Sequence, residues 1–231
     1  AHSKVALHQD RGTRMEEKER ENVKLGKRRK RSLPLVSPVC VRLPLSLSPA
    51  VCTQLSRDLL GHILFMRGNI PSTLTEFLQS QEEVSDKRRA PSRTTKTAVA
   101  LGQLLDTLPL LFSSPVAELL FVFGSTVFTA KEVYRITLGA YDFESTSPTA
   151  SLTSSASRKM IRELIVRSDI FSDLPKVSGR KLYVMGKLVA SREIEGFLPM
   201  PSFKAEFKRI TPILIDIQSE DNASTASDIS A

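Results

Sequence analysis

Apolar residues in this 231-residue chain recur with two periods, which divide residues 39 to 210 into helices and strands. Val39-Cys40-Val41-Arg42-Leu43 alternates and is closed by Pro44, the pattern of a short strand. Ser48-Pro49 then supplies an N-cap with proline at the first helical position. From Ala50 to Met66, Val51, Leu55, Leu59 and Ile63 recur at helical spacing, with Leu60 and Leu64 beside them and Arg57 and Asp58 opposite. Burying four such side chains contributes roughly 1.5–3 kcal/mol each, more than any capping contact. Gly68-Asn69 ends this helix, and a short second one is expected over Ile70–Leu78, after Pro71.

The polar stretch from Gln81 to Thr97, centred on Lys87-Arg88-Arg89, reads as a mobile loop. Ala98 to Phe112 is a further apolar helix in which Pro109 predicts a kink or an early end. Leu119 to Phe123 is uninterruptedly apolar, as a strand covered on both faces requires. Gly124-Ser125-Thr126 breaks it, and Val133 to Leu138 resumes as a β-branched and aromatic strand. Lys131-Glu132 reads as a solvent-facing pair at that strand's entry.

Ser145 to Ser157 has the composition of a linker, and Arg158 to Arg167 that of a third long helix, with Ile161, Leu164 and Ile165 on its apolar stripe. Lys181 to Val189 reads as a strand, and Phe197 to Ile210 as an extended segment carrying Phe197, Phe203 and Phe207. The order predicts one α+β domain over residues 36–217, with helices on one face of a sheet. A basic tail (1–35) and an acidic, Ser-rich tail (218–231) are expected to be disordered.

Composition changes this picture little. Apolar residues make up 41%, enough for a core, and the net charge is +8. Residues 1–32 hold eleven Lys/Arg against five Asp/Glu, a net of +6, so the folded part carries about +2. The pI near 9.7 therefore describes a tail. Within it Lys27-Arg28-Arg29-Lys30-Arg31 has the density of a nuclear-import signal, the alternatives being a nucleic-acid arm or a solvated tail. No aromatic residue interleaves with these charges, which argues against base stacking and specific nucleic-acid binding.

Cys40 and Cys52 form no CxxC motif, so a reducing compartment and no disulfide framework are expected. No His/Cys cluster has metal-ligand spacing, and no cofactor motif is present. The apolar stretch from Leu33 to Val51 is broken by four prolines, no run is long enough to span a membrane, and no secretory signal is recognisable. The first residue is Ala rather than Met, so a preceding segment is expected. His62 is a candidate base only with Asp58, one turn earlier, and is better read as an ordinary helix histidine. No catalytic constellation emerges, and a non-enzymatic protein is expected.

Several ordered blocks share residues and spacing with one family. They are Val39-x-Val41-x-Leu43-Pro44 with Ser48 and Cys52, and Leu59-Leu60-Gly61-His62-Ile63 to Pro71. The basic loop Lys87–Lys96 follows, then Val116 to Leu138 with Gly124, Lys131, Glu132, Tyr134 and Leu138, then Asp169 to Leu174, and finally Phe197-Leu198-Pro199-Met200 with Phe203. Across residues 39 to 207 the chain resembles the comet family, Mad-two-binding adaptors of the mitotic spindle checkpoint.

The resemblance implies a HORMA-like fold: three helices packed on one face of a mainly antiparallel sheet, with a C-terminal safety belt. It implies binding to the closed conformer of Mad-two and presentation of that client to a Pch-family AAA+ ATPase. That ATPase then disassembles the mitotic checkpoint complex and silences the checkpoint, with the adaptor in the nucleus and cytoplasm and at the spindle or kinetochore in mitosis. The alternative is a HORMA-class module for a meiotic or DNA-repair partner.

The family's client interface uses a glutamine where this chain has Met66. It also uses a phenylalanine where gapless alignment places Arg162 and a one-residue shift places Ile161. The family's ATPase-contacting Pro-Lys pair becomes Pro199-Met200, with loss of a charge.

Overall fold

The computed structural model describes residues 37–85, 92–139, 142, 148–167, 171, 174, 181–190, 192–207 and 210–220. Among them nine elements follow one another: β1 (Val39–Leu43), α1 (Pro49–Met66), α2 (Leu74–Ser85), α3 (Arg93–Leu111), β2 (Val116–Gly124), β3 (Ala130–Leu138), α4 (Ala150–Val166), β4 (Lys181–Leu188) and β5 (Ile213–Ser219). The fold is α+β, a mixed five-stranded sheet with four helices, in the strand order β1-β5-β3-β2-β4.

The expected antiparallel bias is corrected. β2 pairs antiparallel with β3 and β4, but β5 lies parallel to both β1 and β3. The chain leaves β4 at one edge and returns through residues 189–212 to insert β5 in the other half of the sheet. β5 is also a strand beyond those expected from the sequence pattern. Ile213, Ile215 and Ile217 alternate and are 3%, 1% and 1% exposed, and the strand runs through Ser219, into the stretch expected to be tail.

Period-2 alternation aligns the apolar faces into rows. One row crosses all five strands as Val39, Ile215, Ile136, Leu119 and Gly186. At Gly186 a Cβ would lie 2.7 Å from Leu111 Cδ1, so the missing side chain is what lets α3 settle on this edge. The helix-side core joins these rows to Leu55, Leu59 and Ile63 of α1, Phe77 of α2, Leu105 and Leu108 of α3, and Met160 and Leu164 of α4.

Leu119 to Phe123 is buried on both faces, as its unbroken apolar run requires. Leu120 and Val122 point away from the helices into a second cluster with Val133, covered by Phe203, Phe207 and Ile210. The segment expected as extended, 197–210, is therefore an irregular strap in its described part rather than a strand. Its outward ring, Phe203, also touches Phe128 of the β2–β3 turn at 5.8 Å. At that turn Gly124 forms a bulge where a Cβ would fall 2.7 Å from the Thr129 carbonyl oxygen.

Helix boundaries differ from the pattern where packing outweighs propensity. α2 runs to Ser85 and α3 begins at Arg93, capped by Ser92, whose Oγ accepts from Thr95 N at 3.1 Å. Both trim the expected loop, of which residues 86–91 lie outside the described residues. α3 continues through Pro109 to Leu111, because Leu108 and Leu111 are both anchored in the core. α4 starts at Ala150, so most of the Ser/Thr-rich linker is helical. Ala156 and Ser157 are buried there, and burial against α1 overrides weak serine propensity.

Candidate protein-interaction site

α1 sets the frame. Ser48 accepts from Val51 N at 3.5 Å and Pro49 opens the first turn. At the other end Asn69 N donates to Leu64 O (2.8 Å) and Gly68 N to Phe65 O (2.9 Å), with Gly68 at φ +65°. This is a Schellman termination, and it requires a residue tolerant of the left-handed region at position 68. The sharp stop places Arg67, the C-cap, over the end of the sheet rather than in solvent.

There Arg67 meets Glu132. The row containing Glu132, Phe123 and Leu182 lies beyond the first paired residue of β5, so the sheet leaves room at that position. Arg67 Nε lies 2.9 Å from Glu132 Oε1 and its second terminal nitrogen donates to Oε2 at 3.0 Å. The two side chains are 7% and 2% exposed. Tyr134 Oη donates a short bond to the same carboxylate. Burial raises the Tyr134 pKa far above the usual phenol value, the Glu132 charge and hydrogen bond raise it further, and Arg67 opposes. The expectation of a solvent-facing Lys131-Glu132 pair is thus overturned: Glu132 turns inward to a partner 65 residues away.

The remaining Arg67 terminal nitrogen donates to the Phe171 carbonyl at 3.4 Å. The Phe171 ring stacks on Tyr134 at 6.2 Å and meets His62 edge-on at 6.5 Å. His62 is half-buried and desolvation lowers its pKa. Asp58, its candidate acid, is committed elsewhere: it accepts two bonds from Gln54 Nε2 (2.9 and 3.0 Å) and one from Ser157. The pair does not converge as an acid–base couple.

The Ser157–Asp58 and Arg67–Phe171 contacts fix α4 beside α1, running in the same direction. α4 also leans on β1 at the sheet edge. Lys159 pairs with Glu220 at 2.6 Å, and Arg167 donates to the Ser37 carbonyl at 3.5 Å. The inner side of α4 holds Ala156, Ser157, Met160 and Leu164, with Ile161 half-buried beside them. The outer side is bare among the described residues. Arg158 and Arg162 are exposed, with Leu152 at 52%, Ile165 at 54% and Val166 at 72% exposure. At the adjoining end of α1, Phe65 and Met66 are 46% and 40% exposed.

The sequence-chosen residues therefore fall into separate groups. Met66 and Arg162 project from neighbouring helices, and Ile161 packs inward. Pro199 and Met200 are exposed on the strap, close after Gly196, whose position adjoins Thr107 of α3. That places them toward the α3 and β4 side, away from α4. Lys27, Arg28, Arg29, Lys30 and Arg31 lie outside the described residues. Most of Asp169–Leu174 does too, apart from buried Phe171 and half-buried Leu174.

Elsewhere a cavity of about 390 Å³ opens between α1, α2 and α3, with Arg57 and Asp106 on its rim and Leu78 and Leu105 in its wall. Among the described residues no group of three or more His, Cys, Asp or Glu is placed to hold a metal ion. No helix among them is long and apolar enough to cross a membrane. Cys40 is exposed and Cys52 is buried. No protein-family model matches this chain, and no curated protein matches it.

Proposed function

We propose that this protein is a comet-type adaptor with a HORMA-like fold. In this reading it binds the closed conformer of Mad-two and presents it to a Pch-family AAA+ ATPase, which disassembles the mitotic checkpoint complex. The single observation that carries the proposal is the one-sided packing of α4. One face is sunk against α1 and β1 while the other offers exposed apolar and basic side chains, and Met66 is exposed at the end of neighbouring α1. The ordered resemblance across residues 39 to 207 supplies the identity of the client.

A helix-led face of this size suits an interface on the order of 1,200–2,000 Å². Met66 fills the glutamine position with an adaptable side chain, and Arg162 rather than Ile161 serves as the α4 contact because Ile161 is turned inward. The strap from β4 to β5 takes the role of the safety belt, and its exposed Pro199 and Met200 form the ATPase contact. Lys27 to Arg31 direct import, giving a nuclear and cytoplasmic distribution.

Size-exclusion chromatography of purified protein with closed and with open Mad-two tests the reading. Co-elution with the closed conformer alone is expected, and Met66→Glu with Arg162→Glu should abolish it while leaving the circular dichroism unchanged. Failure to co-elute with either conformer would overturn the assignment.

A further inference from the structure

The exposed residues of α4 are arranged more specifically than a generic sticky face. Ser151, Ser155, Arg158, Arg162 and Ile165 are all exposed and follow one another at steps of four, three, four and three. That is the spacing of a seam that packs against a second helix. Leu152 and Val166 flank it as exposed apolar residues. The serines at its N-terminal half let a partner backbone approach closely, and the two arginines occupy its middle. Neither arginine forms an ion pair among the described residues, whereas neighbouring Lys159 is satisfied by Glu220. Arg167, further on, is occupied by the Ser37 carbonyl.

Arginine at a seam position is costly against the wrong partner. Take a second copy of this chain, docked α4 to α4. In a parallel pair Arg158 faces Arg158 and Arg162 faces Arg162. In an antiparallel pair centred on the seam, Arg158 again faces its own copy, with Arg162 opposite Ser155. Both arrangements bring desolvated like charges together, a juxtaposition that excludes partners.

The geometry points to a specificity device: Arg158 and Arg162 reject self-pairing of α4 and select a partner helix carrying carboxylates at two seam positions one turn apart. This deepens the reading of α4 as the docking helix and rests on it. The occupant is an acidic amphipathic helix of another protein, chosen by charge complementarity.

Sedimentation equilibrium decides the device without needing the client. The wild-type protein should remain monomeric. R158L/R162L keeps the apolar flanks and removes the repulsion, so it should dimerise. R158E/R162E should be monomeric alone yet form a heterodimer when mixed with wild type, at least about tenfold more tightly than either self-associates. Far-UV circular dichroism checks folding, and R158A/R162A replaces the leucine variant if that one aggregates. Monomers in every sample, or equal self-association of wild type and R158L/R162L, would overturn the device. Closed Mad-two is then added as a separate probe: wild type should bind and R158E/R162E should not. Wild type failing this arm while the charge-swap pair associates would refute the client and not the device.

Discussion

Removing Glu132 tests the least legible feature of the fold. In Glu132→Gln the carboxylate becomes neutral, so the Arg67 guanidinium, 7% exposed and held at 2.9 and 3.0 Å, keeps its burial and loses its counter-charge. Tyr134 Oη also loses a charged acceptor. Breaking a buried pair by one partner costs about 3–5 kcal/mol, because the remaining charge is stranded away from water. With a urea slope of about 2 kcal/mol/M, the midpoint should fall by about 1.5–2.5 M. The Arg67→Met/Glu132→Leu double variant removes both charges and both desolvation costs, and should recover most of the loss. Urea unfolding followed by circular dichroism, with the slope checked for constancy, compares wild type, Glu132→Gln and the double variant. A single variant that loses less than about 1 kcal/mol would show the pair to be water-exposed in solution and refute the argument.

His62 provides a pH test. Burial lowers its pKa in the fold, so the unfolded chain takes up the proton first and stability falls as pH drops below about 6.5. His62→Leu should flatten the urea midpoint between pH 7 and 5.5; identical slopes would refute the assignment. Tyr134 should contribute no phenolate absorbance on alkaline titration until the protein unfolds, since burial and Glu132 both hold its proton on. Phe203→Ala should loosen the strap, raising hydrogen exchange at Leu120 and Val122 beneath it far more than at Ile63 in the helix-side core. A chain ending at residue 212 should fail to fold. It loses Ile213, Ile215 and Ile217, each worth roughly 1.5–3 kcal/mol of burial, and it leaves β1 without a strand partner and β3 paired only to β2.

Local signals carried the helices and most strands. Ser48-Pro49 and Gly68-Asn69 bracket α1 because capping chemistry acts within one turn, and the structure shows both motifs in place. Leu119–Phe123 was readable as a doubly covered strand because a run without polar residues has no other stable location. What covers each face was not readable, since the strap returns from 80 residues further on. Glu132 was misread for the same reason. Beside Lys131 it has the local signature of a surface pair, and only the sheet brings Arg67 to it. Ile213-Leu214-Ile215-Asp216-Ile217 did carry an alternating signal, but it stands next to an acidic tail whose composition dominates any window that includes both.

The candidate site divides along the same line. Exposure of Arg162 and partial burial of Ile161 follow from helical periodicity, whereas Ile165, expected on the same apolar stripe, is 54% exposed. The partnership of α4 with α1 does not follow from periodicity. It depends on Ser157 reaching Asp58 and on Arg67 reaching Phe171, contacts across 99 and 104 residues. Together with Lys159–Glu220 and Arg167–Ser37 they fix the position of α4, while its seam is exposed among the described residues. A docking helix needs both properties: a mobile one would lose entropy on binding, and one packed all round would have nothing to offer. The buried Arg67–Glu132 pair therefore acts on the proposed interaction face at a distance. It fixes the end of α1 that carries Phe65 and Met66, and through Phe171 it anchors the chain that leaves α4.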